Sequence, residues 1–214
     1  MKKLIVVLCV ALFGSTAWAA NFQEGVHYRT VNPVGAAAEP TVTEFFSLYC
    51  GNCYNMESRF LPMITPKLKE KGITFEQKHV NFSGDQIGED MVRGFAVMTQ
   101  LGMNKELKEH LFNLNGAKDH NHSDEESADT HKKLKNLADI RDQFVAFGYD
   151  AAEFDKAAAS KEVNFAVKQW QQQQRLFEIY SIPAFVVNNR YLIEMNKLET
   201  VSQLVELMDY LSKK

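Results

Sequence analysis

Residues 41–66 read TVTEFFSLYCGNCYNMESRFLPMITP, and this stretch decides the fold of the 214-residue chain. Residues 41–48 are rich in β-branched and aromatic side chains, which predicts a buried central strand. From Gly51 onward the apolar residues recur at helical spacing, so a helix is expected to follow the strand directly. The cysteines Cys50 and Cys53 therefore lie where a buried strand passes into a helix.

The spacing of these two cysteines, with Gly51 and Asn52 between them, predicts a redox-active pair. Unpaired N–H groups and the positive end of the helix dipole at the start of a helix favour a thiolate at Cys50. A lowered thiol pKa makes a cysteine both a nucleophile and a good leaving group. Cys53, one turn into the helix, is expected to be more shielded and to act as the resolving thiol.

Two other interpretations of the cysteine pair receive little support from the sequence. A zinc site usually needs four ligands, and neither a second cysteine pair nor a histidine pair with zinc-finger spacing follows Cys53. A structural disulfide between cysteines three residues apart closes too small a loop to stabilise a fold. Redox chemistry is therefore favoured over metal binding, and no metal or other cofactor is predicted.

Residues 1–19 have the pattern of a secretory signal peptide. A cationic start at Lys2 and Lys3 is followed by a short apolar run and by small residues before the expected cleavage site. Its removal takes away Cys9 and leaves 195 residues that begin at Ala20, with 22 basic against 27 acidic side chains. We expect a periplasmic protein, and the acidic balance argues against nucleic acid as a partner.

The rest of the sequence predicts further strands and helices in an α/β order. Pro62 and Pro66 are expected to kink or interrupt the helix that follows the cysteines. The dipeptide Asn188–Asn189 tolerates positive φ and predicts a hairpin turn. The remaining expected elements are strands at 73–82, 183–187 and 190–193, helical regions at 84–115 and 134–180, and a closing amphipathic helix at 200–211. This order indicates a thioredoxin-like fold with helices inserted in its middle.

Several segments of the chain resemble the DsbA family of periplasmic thiol:disulfide oxidoreductases. They are EFFSLYCGNCYNME, KHVNF, SIPAFVVNNRY, the opening FQEGVHYRTV, and DIRDQFVAFG at 139–148. The resemblance implies a thioredoxin-like domain formed by residues 20–82 and 162–214, with an inserted helical domain at 83–161.

The same resemblance implies a function and its partners. The protein would donate its disulfide to newly exported proteins through a mixed disulfide, and a membrane protein of the DsbB type would reoxidise it. It would act as a monomer. A disulfide reductase or isomerase of the same fold and a peptide-binding, chaperone-like protein are the alternatives. The chain leaves no room for the extra dimerisation domain that isomerases usually carry, which favours the oxidase.

By position, the resemblance makes Cys50 the attacking cysteine and Cys53 its resolving partner. Pro183 corresponds to the family's cis-proline, which would place the backbone of Ile182 beside the sulfurs to bind an extended peptide. An ordinary proline at the start of a strand is the alternative. Glu44, which interrupts the apolar strand, corresponds to an acid beneath the resolving cysteine, where burial would raise its pKa. The alternative for Glu44 is a solvent-facing position.

The sequence departs from the family pattern in two places. Gly51 and Asn52 replace the Pro-His dipeptide of the strongly oxidising members, so we expect a less acidic Cys50 and a less oxidising disulfide. Residues 118–133 form a polar segment rich in histidine and acidic residues, for which a solvated loop is favoured over a metal site. Glu57, four residues beyond Cys53, could lie below the same site on a helix, but a solvated helix charge is the favoured role.

Overall fold

A computed structural model describes residues 22–32, 37–116 and 134–214 of the protein. The predicted signal peptide at 1–19 and the histidine- and acid-rich segment at 118–133 lie outside these ranges. Within the three ranges, no helix combines the length and the apolar character that crossing a membrane requires.

Five strands form one mixed sheet. They are β1 (Tyr28–Thr30), β2 (Thr41–Phe46), β3 (Thr74–His79), β4 (Ala184–Val187) and β5 (Tyr191–Ile193). Their spatial order is β1-β5-β4-β2-β3, with β2 and β3 parallel and the other neighbouring pairs antiparallel. The strand that leads to the cysteines, β2, therefore lies inside the sheet, and all of its residues after Thr41 are buried.

Helices cover the sheet and extend the fold between β3 and β4. They are α1 (Gly51–Asn55), α2 (Leu61–Glu70), α3 (Gln86–Leu101), α4 (Lys105–Leu114), α5 (Leu137–Ala146), α6 (Ala151–Ala158), α7 (Lys161–Leu176) and α8 (Val201–Ser212). A π-helical segment, Met56–Phe60, joins α1 to α2, and a 3-10 turn, Met195–Lys197, precedes α8. Helices α3 to α7 all follow β3 and precede β4, which is the predicted thioredoxin-like order with inserted helices.

The sequence locates four of these strands to within a few residues. β2 and β3 end earlier than expected, at Phe46 and His79. The hairpin turn is confirmed, because Asn188 and Asn189 adopt positive φ angles of 53° and 52°. β1 is not predicted by the sequence pattern, because it has only three residues and pairs with β5 at the edge of the sheet.

The predicted interruption of the helix after the cysteines is present. The π-helical segment Met56–Phe60, which carries Glu57, separates α1 from α2. Pro62 lies in the first turn of α2, where a missing N–H group costs no helical hydrogen bond. Pro66 differs from the expectation, because α2 continues through it to Glu70.

One face of β2 joins two parts of the hydrophobic core. Side chains alternate along a strand, so Val42, Glu44 and Phe46 share this face. Val42 packs with residues of α2 and α8, whereas Phe46 packs with residues of α3 to α7. Phe45, on the opposite face, packs with β4 and with the segment after α7. Glu44 therefore lies between two apolar clusters.

Candidate active site

The chain enters the site through a turn that two hydrogen bonds hold. Nε2 of His79, at the end of β3, accepts the backbone N–H of Leu48 at 3.0 Å. The backbone N–H of Cys50 donates to the carbonyl oxygen of Ser47 at 3.1 Å. Cys50 is then the N-cap residue of α1, with extended backbone angles of φ −103° and ψ 113°. The path from the end of β2 to the first cysteine is thereby fixed.

The sulfur of Cys50 is half-buried and accepts hydrogen bonds at the start of α1. Its Sγ accepts the backbone N–H of Cys53 at 3.2 Å, the role that a side-chain oxygen fills at most helix N-caps. The Cys53 thiol and the backbone N–H groups of Cys53 and Asn52 lower the pKa of Cys50 to about 7, against the opposing effect of partial burial. A thiolate at Cys50 is therefore well populated at neutral pH.

Cys53 lies inside α1 and is buried, with 1 % of its surface exposed. Burial raises the pKa of the Cys53 thiol far above its usual range, and the neighbouring sulfur of Cys50 and the charge of Glu44 raise it further. Both cysteines are free thiols in this structure. The pair therefore combines an accessible, acidic thiol with a buried thiol that holds its proton.

The segment before β4 brings a second stretch of backbone to the cysteines. The peptide bond between Ile182 and Pro183 is cis, as the resemblance to the DsbA family implies. The thiol of Cys50 donates to the carbonyl oxygen of Ile182 at 3.8 Å. The backbone of Ile182 therefore lies beside the accessible sulfur.

A cavity of about 420 Å³ opens next to Cys50. Its lining comes from the turn between β2 and α1, the segment after β3, the start of α3 and Ile182. The apolar side chains of Val80, Phe82 and Ile87 contribute to it. Phe82 is 51 % exposed, so the cavity presents an apolar ring to the solvent near the reactive sulfur.

Glu44 is buried, which excludes the solvent-facing alternative. It is 1 % exposed and lies directly opposite Gln77 in the pairing of β2 with β3. Nε2 of Gln77 donates to Oε2 of Glu44 at 2.7 Å. Burial raises the pKa of Glu44 to about 8, although the hydrogen bond from Gln77 and the positive charge of Lys108 both lower it. The carboxyl group is also close enough to influence the pKa of Cys53.

Glu57 belongs to the same site, which is the less favoured alternative, and the favoured expectation of a solvated helix charge is wrong. Its side chain is 28 % exposed. Oε2 of Glu57 accepts hydrogen bonds from Nε2 of Gln77 at 2.9 Å and from Nζ of Lys108 at 2.6 Å. Nζ of Lys108 also donates to Oε1 of Gln77 at 2.6 Å. Glu44, Gln77, Glu57 and Lys108 thus form one hydrogen-bonded group, called the buried polar cluster below.

Sequence reasoning does not find Gln77, His79 or Lys108. A signal exists for Lys108, because it shares a buried helix face with Leu111 and Phe112, where an apolar residue is expected. Gln77 and His79 carry no such signal, because their roles depend on the pairing of β3 with β2.

Among the residues that the structure describes, no group of three or more His, Cys, Asp and Glu side chains is arranged to hold a metal ion. The zinc interpretation of the cysteine pair therefore finds no further ligands in this part of the chain. Residues 118–133, for which a metal site was the less favoured alternative, lie outside the described ranges.

This geometry suits thiol–disulfide exchange. A thiolate such as that of Cys50 attacks disulfides and also leaves readily from a mixed disulfide. Cys53 is held three residues away, within the same helical turn. Glu44 titrates within reach of physiological pH and can take up or release a proton beside the buried sulfur.

Comparison with known proteins identifies the family. The DSBA-like thioredoxin domain matches residues 41–206. The chain belongs to this family. The matched residues of this DsbA-like protein run from β2 into α8 and include the cysteine pair, Glu44 and Pro183.

Curated relatives match the DsbA-like protein over nearly its full length. The thiol:disulfide interchange protein DsbA of Escherichia coli K12 is 29 % identical over 100 % of both chains. The corresponding protein of Haemophilus influenzae is 31 % identical over 90 % of this chain and 88 % of its own. These names agree on one reaction, dithiol–disulfide exchange.

Solved structures show the same fold. DsbA from Proteus mirabilis has a TM-score of 0.70 at 25 % identity, covering 91 % of this chain and 98 % of its own. A cysteine-to-serine variant of Proteus DsbA in a non-covalent complex with the peptide PWATCDS has a TM-score of 0.73 at 24 % identity, over 91 % of this chain and all of that one. The DsbA-like protein is thus a thiol:disulfide oxidoreductase with a thioredoxin-like fold, as the sequence predicts.

Proposed function

We propose that this DsbA-like protein is a disulfide donor, which transfers the Cys50–Cys53 disulfide to newly exported proteins. The asymmetry of the two thiols carries the proposal. Cys50 is accessible and its pKa is lowered to about 7, whereas Cys53 is buried and its pKa is raised. Such a pair accepts attack at Cys50 and keeps Cys53 for resolution, and the DsbA names of the full-length relatives support transfer of the disulfide to other proteins.

The proposed transfer begins when a substrate thiolate attacks Sγ of Cys50 in the disulfide form. A bond forms between Cys50 and the substrate, the bond between Cys50 and Cys53 breaks, and Cys53 leaves with the electron pair. Glu44 is mostly protonated at neutral pH, because its pKa is raised to about 8, and it gives its proton to Cys53. The buried sulfur is thereby neutralised.

A second substrate thiolate completes the proposed transfer. It attacks the substrate sulfur of the mixed disulfide, and Cys50 leaves as a thiolate that the N–H groups at the start of α1 stabilise. The substrate gains a disulfide, and two electrons pass to the protein. Cys50 is then a thiolate and Cys53 a thiol.

Reoxidation reverses the proton transfer. The thiolate of Cys50 attacks a disulfide of the oxidant, and the ionised form of Glu44 accepts the proton of Cys53. Cys53 then attacks Cys50 and expels the thiolate of the oxidant. Glu44 therefore acts as an acid in one half of the cycle and as a base in the other, which its pKa of about 8 allows.

Ile182 and Pro183 are the proposed docking point for the substrate backbone. The carbonyl oxygen of Ile182 lies 3.8 Å from the Cys50 sulfur, so an extended peptide paired along this segment would present its own cysteine to Cys50. The neighbouring cavity with Phe82 offers apolar contact to the rest of the peptide. The peptide complex of Proteus DsbA supports peptide binding by this fold.

Location, partner and domain division complete the proposal. The signal-peptide pattern of residues 1–19 and the bacterial DsbA relatives support the periplasm. The resemblance to the family implies reoxidation by a membrane protein of the DsbB type and a monomeric state. The proposed thioredoxin-like domain comprises residues 20–82 and 162–214, and the inserted helical domain comprises 83–161. The end of β3 at His79 supports the first limit, and the second limit falls at the start of α7, at Lys161.

Replacement of each cysteine tests the proposal. Cys50→Ser is expected to abolish the oxidation of a reduced two-cysteine peptide, because no mixed disulfide can form. Cys53→Ser, the matched variant, is expected to accumulate as a mixed disulfide at Cys50 when it is mixed with an oxidised peptide, which mass spectrometry of acid-quenched samples detects. Peptide that stays reduced in the presence of the wild-type protein, together with peptide binding that Cys50→Ser leaves unchanged, would contradict the proposal and favour the chaperone-like alternative.

A further inference from the structure

Lys108 is a buried cation that the inserted helices bring to the active site. It lies on α4, and its side chain is 2 % exposed. Its Nζ donates to Glu57 and to Gln77 at 2.6 Å each. It also lies 4.9 Å from the ring centre of Phe46, a distance at which a cation is attracted to an aromatic face. The ammonium group of Lys108 is therefore held in place by two hydrogen bonds and by the ring of Phe46.

Gln77 links Lys108 to the acid beside the resolving cysteine. The amide oxygen of Gln77 accepts from Lys108, and its amide nitrogen donates to Glu44 and Glu57. A lysine offers only donors, so the amide of Gln77 must turn its oxygen toward Lys108 and its nitrogen toward the carboxyl groups. Lys108 therefore fixes the orientation in which Gln77 donates to the carboxylates.

The charged groups that face Glu44 act in opposite directions. Lys108 favours the ionised carboxylate, whereas Glu57 and the Cys50 thiolate disfavour it. His79 is neutral at physiological pH, because burial lowers its pKa to about 3 and the charge of Lys108 lowers it as well. Within the described residues, Lys108 is the cation that acts on Glu44. Loss of Lys108 would leave Glu44 facing only the negative charges of Glu57 and the Cys50 thiolate.

We propose that Lys108 is a positioning residue: through Gln77, it keeps Glu44 able to exchange a proton with the resolving cysteine. The hydrogen bonds of Lys108 are to the amide of Gln77 and the carboxylate of Glu57, and none of them is to Glu44 itself. This inference rests on the proposed function, because it concerns the step that closes the Cys50–Cys53 disulfide.

Formation of the Cys50–Cys53 disulfide, called closure below, can be followed with oxidised glutathione as the electron acceptor. The Cys50 thiolate first attacks glutathione disulfide, forms a mixed disulfide and releases one glutathione thiolate. Cys53 then gives its proton to ionised Glu44 and attacks Sγ of Cys50. The bond between Cys50 and glutathione breaks, and the second glutathione leaves with the electron pair. The rate of closure therefore follows the ionised fraction of Glu44.

Acid quenching at successive times separates the two steps, because mass spectrometry distinguishes the mixed disulfide from the closed disulfide. Lys108→Met keeps an unbranched apolar side chain and removes the charge. We expect it to move the midpoint of the pH profile for closure upward by about 1 pH unit, the lower end of the effect of a nearby opposite charge. Closure at pH 7 then becomes about tenfold slower. Formation of the mixed disulfide keeps its pH midpoint, which reports Cys50.

Glu57→Gln tests the same electrostatics with the opposite sign. It removes a negative charge that faces Glu44, so the closure midpoint is expected to move down, a direction that general loss of packing does not produce. Lys108→Arg keeps the charge and is expected to restore the wild-type midpoint. Lys78→Met is the matched control, because the side chain of Lys78 is 6 % exposed but pairs with Glu76 rather than with the buried polar cluster. It is expected to leave the midpoint in place.

Three results would contradict the role of Lys108: an unchanged midpoint in Lys108→Met, an equal shift in Lys78→Met, or an upward shift in Glu57→Gln. Failure of the proposed function gives a different result. In that case the wild-type pair has the redox potential of a reductase, while the closure midpoints of the variants still report on Lys108.

Discussion

At Cys50, hydrogen bonds from uncharged groups lower the thiol pKa. The Cys53 thiol and the backbone N–H groups of Cys53 and Asn52 supply them. Asn52 offers a neutral amide where the strongly oxidising DsbA proteins carry histidine, whose positive charge would stabilise a thiolate further. The sequence therefore still predicts that Cys50 is less acidic, and the disulfide less oxidising, than in those proteins.

At Glu44, burial decides the protonation state. The loss of solvation disfavours the ionised form more strongly than the hydrogen bond from Gln77 and the charge of Lys108 favour it, so the pKa rises from 4.5 to about 8. The carboxyl group is therefore mostly protonated at neutral pH in the reduced protein. This protonation state is the one that the proposed proton transfer to Cys53 requires.

This raised pKa makes the stability of the reduced protein depend on pH. Below pH 4.5 Glu44 is protonated in both the folded and the unfolded states. Between pH 4.5 and about 8 the unfolded chain releases this proton while the folded protein keeps it, so the free energy of unfolding falls by about 1.4 kcal/mol per pH unit. Above about pH 8 both states are ionised and the contribution stops changing.

Glu44→Gln isolates the effect, because every other titrating group stays in place. Urea unfolding of the reduced wild-type and variant proteins across this pH range is expected to show the wild type losing stability relative to the variant as the pH rises. Two curves that run parallel from pH 4.5 to 8 would show that Glu44 does not hold its proton in the folded state.

At the scale of elements, β3 supports the active site with two side chains of one face. Gln77 joins the buried polar cluster, and His79 accepts the N–H of Leu48. Their register partners on β2 are Glu44 and Phe46, which also share a face. The parallel pairing of β2 with β3 therefore assembles both the acid and the support for the turn that leads to the first cysteine.

His79→Phe tests this support. The variant leaves the buried N–H of Leu48 without its acceptor, so the free energy of unfolding is expected to fall by about 1 to 3 kcal/mol. Phenylalanine keeps an aromatic ring against Phe46, which packs edge-on against the histidine at 5.4 Å, so the loss reports the hydrogen bond. Urea unfolding at pH 7 measures it, and stability equal to that of the wild type would show that the bond does not hold the turn.

At the scale of the whole molecule, the fold is predictable wherever a segment carries its own local signal. β2 and α8 show clear patterns of apolar residues, and Asn188–Asn189 is a dipeptide that tolerates the positive φ of a hairpin turn. β1 has only three residues, too few for a pattern, and tertiary pairing with β5 forms it. Pro66 is tolerated inside α2, although the local rule predicts an interruption there.

The site is predictable only where its residues lie close in sequence or in a recognisable motif. Cys50, Cys53 and the cis bond before Pro183 are of this kind. The contact between Lys108 and Glu57 joins residues 51 positions apart and depends on how α4 packs against the sheet. Because of this contact, the inserted helices and the thioredoxin-like strands share one buried polar cluster, a property that no local pattern reveals.

The redox potential of the Cys50–Cys53 pair is the most direct test of a disulfide donor. Equilibration of the wild-type protein in glutathione buffers of known ratio, followed by alkylation of free thiols and mass spectrometry, gives its value. We predict a potential more positive than about −200 mV, because a donor must be well above the structural disulfides of secreted proteins, which lie below about −300 mV. A potential at or below about −270 mV, the value of thioredoxin, would indicate a reductase and contradict the proposed function.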